Sequence, residues 1–292
     1  MQTDGQLLLA GCGDIGLRIA RLWRHAPQVT GLSRSHSALS RLPSGAQAWQ
    51  ADLDGTGPLA FPSSLDPAQT HIVYLAPPAT DSLQDRRLEK FLAMLPWTPA
   101  SFSYCSTSGI YGDCGGAWVD ETTTPAPVTD RAKRRIWAEK FLTEWQQKTK
   151  ARLMILRVPG IYGPGRLPLD KLRSGIPLIR PREAPWTNLI HADDLARVFI
   201  ASIKRGSAGA IYNVSGGEPA TLTDFYLTVA RAAGLAVPEF ISLREAQRIY
   251  NPERLSFINE SRRLDVSKMR RELQPELRYA DLASGVRASL DG

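Results

Sequence analysis

The sequence predicts an α/β fold: a doubly wound parallel sheet with a smaller, discontinuous C-terminal α/β part. Three observations predict it. Short apolar runs alternate with helix-spaced segments up to Val158, a glycine turn joins the first run to the first helix, and the texture becomes rich in Pro and Gly beyond Val158. Parallel neighbours need a crossover, and the crossover is usually helical, so this alternation points to a parallel sheet.

Gln6–Ala10 (QLLLA) reads as a buried first strand, residues 11–16 as a glycine turn and 15–23 as the first helix. Further strands are expected at 28–32, 46–53, 71–75 (HIVYL), 101–105 (SFSYC) and 152–158 (RLMILRV). Helices are expected at 83–95, where Leu88, Phe91, Leu92 and Leu95 share a face, and at 130–148. Beyond Val158 the pattern predicts a short helix near 169–174, helices at 195–205 and 222–233, and a strand at 210–214. Residues 1–158, joined again by about 187–205, are expected to form the first unit; 159–186 and 206–292 form the second.

The chain has 292 residues, 43% hydrophobic and 22% charged, close to the soluble globular average and enough for a full core. No run approaches the ~18 apolar residues of a membrane span. The start, MQTDGQLLLAGCGDIG, lacks the basic and small-residue features of a signal peptide, so a cytoplasmic location is the expectation. Cys12, Cys105 and Cys114 suit neither a disulfide framework nor a zinc site. Cys12 and Cys105, at strand ends, read as small buried residues. Lys and Arg exceed Asp and Glu by 36 to 29 without forming a long basic tract. That weighs against nucleic acid and suits an anionic small molecule drawn in by a positive field.

Gly11-Cys-Gly13-Asp-Ile-Gly16 is GxGxxG, and here it follows an apolar strand and opens a helix. The first glycine permits the turn, the second lets backbone approach a pyrophosphate, and the third lets helix and strand pack closely. Free N–H groups at the helix start then face the anion. The first unit is therefore a Rossmann-type dinucleotide-binding domain, with Gly11, Gly13, Asp14, Ile15 and Gly16 at the phosphates. An NAD site would place Asp or Glu about 20 residues on, to accept from the ribose 2′-hydroxyl. This chain has Ser33-Arg34-Ser35 there, with no carboxylate to accept and an arginine fork suited to a 2′-phosphate. NADP is the expected cofactor, with NAD as the alternative. Asp52-Leu53 and Leu75-Ala76-Pro77 stand where adenine and ribose contacts usually arise.

With LLLAGCGDIG, QADLDG, SYCSTSGIYGD, LRVPGIYGPGR, NLIHADDLA and AIYNVSGG in this order, the chain resembles the extended and atypical short-chain dehydrogenase/reductases, the NAD-dependent epimerase/dehydratase family, and within it the small bacterial epimerase-like proteins of the YeeZ type. The resemblance spans nearly the whole chain. It implies an oxidoreductase or epimerase acting on a nucleotide-sugar-like or other anionic carbonyl or alcohol substrate. It places Thr107 at the catalytic Ser/Thr, and Tyr111 and Tyr162 at structural tyrosines. His191, Asp193 and Asp194 fall where residues fasten a returning helix.

Three departures bear on the chemistry. The family's proton donor is the Tyr of YxxxK, and no YxxxK occurs. Arg131 falls at the tyrosine position and Arg135 at the lysine position. Arginine keeps its proton through the working pH range, so it clamps a carboxylate or phosphate rather than shuttling a proton. Thr107 is followed by Ser108-Gly109 and not the Asp-Glu of the 4,6-dehydratases, which argues against dehydration. Gly160 replaces a common Asn. Two readings follow: an NADP(H)-dependent enzyme with its substrate near Thr107, or a catalytically impaired NADP(H)-binding protein that reports redox state.

Overall fold

The computed structural model describes residues 5–251, 254–255 and 258–291. Its centre is a seven-stranded sheet of β1 Gln6–Ala10, β2 Val29–Ser33, β3 Gln47–Gln50, β4 Thr70–Tyr74, β5 Ser101–Thr107, β6 Leu153–Val158 and β7 Ala210–Asn213. The order across the sheet is β7-β6-β5-β4-β1-β2-β3, and every neighbouring pair is parallel. The chain leaves β1 in one direction and returns on its other side with β4. This reversal opens a crevice at the carboxyl ends of β1 and β4, the usual ligand position in such sheets.

Helices cover both faces. On one, Leu7 and Leu9 of β1 pack with Ile15 and Ile19 of α1 (Asp14–Leu22) and with Leu195, Val198 and Phe199 of the returning helix Ala192–Arg205. On the other, Leu8 and Ala10 pack with Leu88 and Phe91 of α2 (Arg86–Met94) and with Ala138 and Leu142 of α3 (Asp130–Thr149). Successive strand residues point to opposite faces, so burial on both sides requires the unbroken apolar run QLLLA. Each such leucine contributes about 1.5–3 kcal/mol by leaving water. The returning helix, Ala192–Arg205, is α4.

The element boundaries differ from expectation where side chains compete for the backbone. The 83–95 helix begins only at Arg86, because Asp85 caps it and accepts from the Leu88 N–H at 3.1 Å. The third strand stops at Gln50, and Asp52 then accepts from the Asp54 N–H at 3.0 Å in an Asx turn. Strand β5 runs two residues further than expected, to Thr107. The 195–205 helix starts three residues earlier, at Ala192, capped by His191.

The C-terminal part does not stay apart from the sheet. Ala210–Asn213, grouped from sequence with 206–292, pairs with β6 as an edge strand of the central sheet. Arg263–Leu264 pairs with Trp118–Val119 in the loop after β5. Further cores lie beyond the sheet, one around Leu172, Phe225, Val229 and Val286, with α5 Leu222–Ala232 packed on α6 Leu282–Leu290. Another gathers Ile179, Ala246 and Tyr250. Among the described residues no helix is long and apolar enough to cross a membrane.

Candidate functional site

The glycine turn divides its three roles physically. Gly11 has φ +118°, and a Cβ there would stand 2.8 Å from the Ala76 nitrogen. A Cβ on Gly16 would lie 2.4 Å from the Gly11 oxygen, so this glycine serves helix–strand packing. A Cβ on Gly13 would meet nothing within 4 Å. Its backbone is extended, and the space beside it is open just where the first N–H groups of α1 are unsatisfied. A pyrophosphate fits that cradle.

Gly11 and Gly13 line a cavity of about 210 Å³ together with Ser33, Arg34, Asp52, Leu53, Ala76 and Pro77. Asp14, Ile15, Gly16 and Leu75 do not line it. Ile15 is buried in the core against α4, and Leu75 donates its N–H to the Ala10 carbonyl at 2.8 Å. The Asp14 carboxylate accepts from Arg18 Nε and from Arg166 Nε, both at 2.8 Å, while Arg18 also reaches Asp193. Burial raises the Asp14 pKa, but Arg166 and Arg18 more than offset this and hold it below the usual carboxylate value.

The ribose end corrects one expectation. A carboxylate does stand beside Arg34: Asp54 Oδ2 lies 3.2 Å from Arg34 Nη1. Arg87 of α2 grips the same group through Nε at 2.5 Å and Nη2 at 2.6 Å. These bonds hold the Asp54 pKa below its ordinary value. Sequence reading missed both residues.

A larger cavity, about 600 Å³, begins at Pro77, which it shares with the smaller one. It brings together Thr107, Arg131 and Arg135. Thr107 ends β5, and its Oγ1 accepts from the Gly109 N–H at 3.2 Å, capping a one-turn helix. Arg135 Nη1 donates to the Tyr104 hydroxyl at 2.9 Å. Burial opposes the charge on Arg135, yet Tyr104, Cys105 and Asp85 around it hold its pKa above the usual arginine value. Arg134 Nε donates to the Ser82 carbonyl at 2.9 Å. Lys133 lies outside the cavity lining and pairs with Asp130 at 3.7 Å, whereas Arg131, Arg134 and Arg135 line the cavity. Arg166 and Arg262 join them, and Glu260, paired with Arg262 at 2.8 Å, is the sole carboxylate among the described residues of the lining. The cavity is therefore strongly electropositive.

Cys105 is half-buried at this cavity, not fully buried as expected. Cys12 is buried, and its thiol is pushed up to about 12 by burial. Among the described residues no group of His, Cys, Asp and Glu could hold a metal ion.

Behind Thr107 lies a buried ionic network that sequence reading did not see. Arg157 of β6 pairs with Glu139 of α3 at 2.9 Å, and Ser106 donates to the same carboxylate. Arg157 Nη1 also donates to the Tyr111 hydroxyl at 2.8 Å, which lies 2.7 Å from Asn213 Oδ1. Mainly through burial, the Tyr111 pKa is pushed up to about 12. Asp194 accepts from the backbone N–H groups of Arg278 and Tyr279, both at 2.8 Å. His191 Nδ1 accepts from the Asp193 N–H at 3.2 Å. Each of these residues is occupied in holding the fold.

Residues 88–215 match the NAD dependent epimerase/dehydratase family. Over 138 residues the chain is 31% identical to Protein YeeZ of Escherichia coli, covering 47% of each. Over 140 residues it is 26% identical to the dTDP-D-glucose 4,6-dehydratase of Homo sapiens, covering 45% of this chain and 38% of that protein. The chain thus spans less than half the length of these curated relatives. Among solved structures, a functionally unknown conserved protein from Silicibacter pomeroyi DSS is 31% identical, with a TM-score of 0.81 over 98% of both chains. The UDP-glucuronic acid 4-epimerase of Bacillus cereus in complex with NAD is 18% identical, with a TM-score of 0.72 over 98% and 97%. RMD from Pseudomonas aeruginosa complexed with NADPH is also 18% identical, with a TM-score of 0.72 over 98% of both chains. These last two share the fold. With the seven-stranded doubly wound sheet, the matched segment and the full-length structural relative in agreement, the chain belongs to the NAD-dependent epimerase/dehydratase family.

Proposed function

We propose that this chain is an NADP(H)-binding oxidoreductase or epimerase-like protein of the extended short-chain type, acting on an anionic carbonyl or alcohol substrate. One observation carries the reading: the glycine cradle and the arginine-lined cavity meet at Pro77. A dinucleotide lying on Gly13 with its adenosine toward Arg34 would direct its other end to Thr107. The bound nicotinamide supplies hydride transfer. Thr107 then offers a hydroxyl to the substrate oxygen, and Arg131, Arg134 and Arg135 hold the substrate's negative charge. In this reading the part beyond Val158 supplies the outer wall through Arg166, Trp186 and Arg262.

A second reading, a catalytically impaired NADP(H) binder that reports redox state, is favoured by a specific feature. No Tyr, Lys or His is found among the described residues lining the larger cavity. The YxxxK position is filled by groups that bind anions but release no proton.

Calorimetry with NADPH and NADH tests the cofactor assignment. Tighter NADPH binding is expected, and Arg34→Ala should cost about 1–3 kcal/mol for NADPH alone. A preference for NADH overturns it, as does an unchanged preference in Arg34→Ala.

A further inference from the structure

Resting on the NADP(H) reading above, we infer that Arg87 and Arg34 together seat the cofactor's 2′-phosphate, and that Asp54 is that phosphate's built-in competitor. The two arginines come from distant segments, the end of β2 and the first turn of α2, yet converge on one carboxylate. Arg87 holds it in a two-pronged fork, and its remaining Nη1 donates to the Pro77 carbonyl at 2.7 Å. Its side chain is 18% exposed, against 69% for Arg34. The buried partner is thus preset in orientation, and the exposed one is free to swing. Carboxylate and phosphate present the same pair of oxygens to a guanidinium fork, so the geometry that fits Asp54 fits a phosphate. All three side chains line the cavity that contains Gly11 and Gly13.

The carboxylate affects the two cofactors in opposite ways. A ribose 2′-hydroxyl can donate to Asp54 and leave both arginines in place. A 2′-phosphate is repelled by Asp54 and must displace it from one or both arginines. Asp54 therefore narrows a preference that the arginines create. Its loop is anchored without it: Lys90 Nζ donates to the carbonyls of Asp52 and Gly55. Removing the charge should leave the cavity wall standing.

The test is calorimetric titration of the full chain with adenosine 2′,5′-bisphosphate and with adenosine 5′-monophosphate. Wild type is expected to bind the bisphosphate more tightly. Asp54→Asn should tighten the bisphosphate by about three- to tenfold, the scale of an exposed-to-half-buried ion pair, and weaken the monophosphate by no more than about twofold, because the amide oxygen still accepts from its 2′-hydroxyl. Arg87→Gln should weaken the bisphosphate by about tenfold or more and spare the monophosphate. If wild type discriminates but Asp54→Asn gains nothing, or Arg87→Gln keeps full discrimination, the inference fails while the NADP(H) reading survives. If wild type binds both alike, the NADP(H) reading itself fails and takes the inference with it. Should Asp54→Asn weaken both ligands, its loop has moved and Arg87→Gln decides. A loss confined to the bisphosphate then supports the seat, and an equal loss for both overturns it.

Discussion

Replacing Gly13 with valine should separate cofactor binding from folding. The backbone at Gly13, φ −75° and ψ −165°, is one that valine adopts without strain. Nothing lies within 4 Å of an added Cβ. As the N-cap of α1, valine is poorer than glycine by about 0.5–1 kcal/mol. The stiffer unfolded chain returns about 0.4–1 kcal/mol. Net stability should therefore stay within about 1 kcal/mol of wild type. The valine side chain, however, fills the cradle and holds an anion off the α1 N–H groups. Each hydrogen bond to a charged partner is worth about 1.5–3 kcal/mol, so losing two weakens NADPH by on the order of 10²- to 10⁴-fold. Gly16→Ala should do the opposite. Its Cβ would stand 2.4 Å from the Gly11 oxygen, and backbone cannot yield as a side-chain tip can. That clash costs about 1–3 kcal/mol or more in stability. Thermal unfolding with and without NADPH, paired with fluorescence titration of NADPH, reads both effects. A folded Gly13→Val protein with wild-type NADPH affinity would refute the cradle.

Three further outcomes are expected. Turnover on carbonyl and nucleotide-sugar panels with NADPH should be slow, since a missing general acid forfeits about 10²–10⁴-fold; Arg131→Tyr with Arg135→Lys should raise it, and fast wild-type turnover that survives Thr107→Ala would sink the proposed site. Glu139→Ala leaves Arg157 buried and unpaired, so urea denaturation should show a loss of about 3–5 kcal/mol, and a loss below about 1 would mean that the pair does not hold β6 to α3. Burial lowers the His191 pKa from its ordinary 6.5 in spite of Asp193 and Asp194, so the folded state binds fewer protons than the unfolded one below pH 6.5. Stability should then fall as pH drops from 6.5 and level off below the folded pKa; His191→Asn, which can still cap α4, should flatten this slope, and an unchanged slope would place its origin elsewhere.

What could be read in advance was whatever lay close together along the chain. Strand, turn and helix from Gln6 to Leu22 are one continuous pattern of apolar spacing and glycines, and the three glycines of the turn lie within six residues. Thr107, Arg131 and Arg135 were legible by position along a familiar motif order, and they do line one cavity. The carboxylate on Arg34 was not legible, because Asp54 lies 20 residues away and its other partner, Arg87, a further 33. Nothing in the local texture of either segment signals the other. The same holds for Arg166, which meets Asp14 across 152 residues. Strand β7 was legible as a strand, but its membership of the central sheet was not. An edge strand lying beyond a Pro- and Gly-rich stretch has the same alternation whichever sheet it joins.

Strand β7 also determines when the molecule can become whole. As the chain emerges during synthesis, β1 to β6 are all available once residue 158 has appeared, yet β6 still has an open edge, and open edges recruit other chains. Its proper partner comes only with Ala210–Asn213, and Asn213 brings more than a backbone ladder. Its side chain meets the Tyr111 hydroxyl and the carbonyls of Val119 and Asp265, tying strand, inner loop and C-terminal segment at one point. Until that asparagine arrives, Tyr111 and Arg157 lack a member of their network. A fragment ending at Val158 therefore contains the whole glycine turn but exposes a sticky edge beside an incomplete ionic core. A nascent chain passes through this same vulnerable interval on its way to the finished sheet.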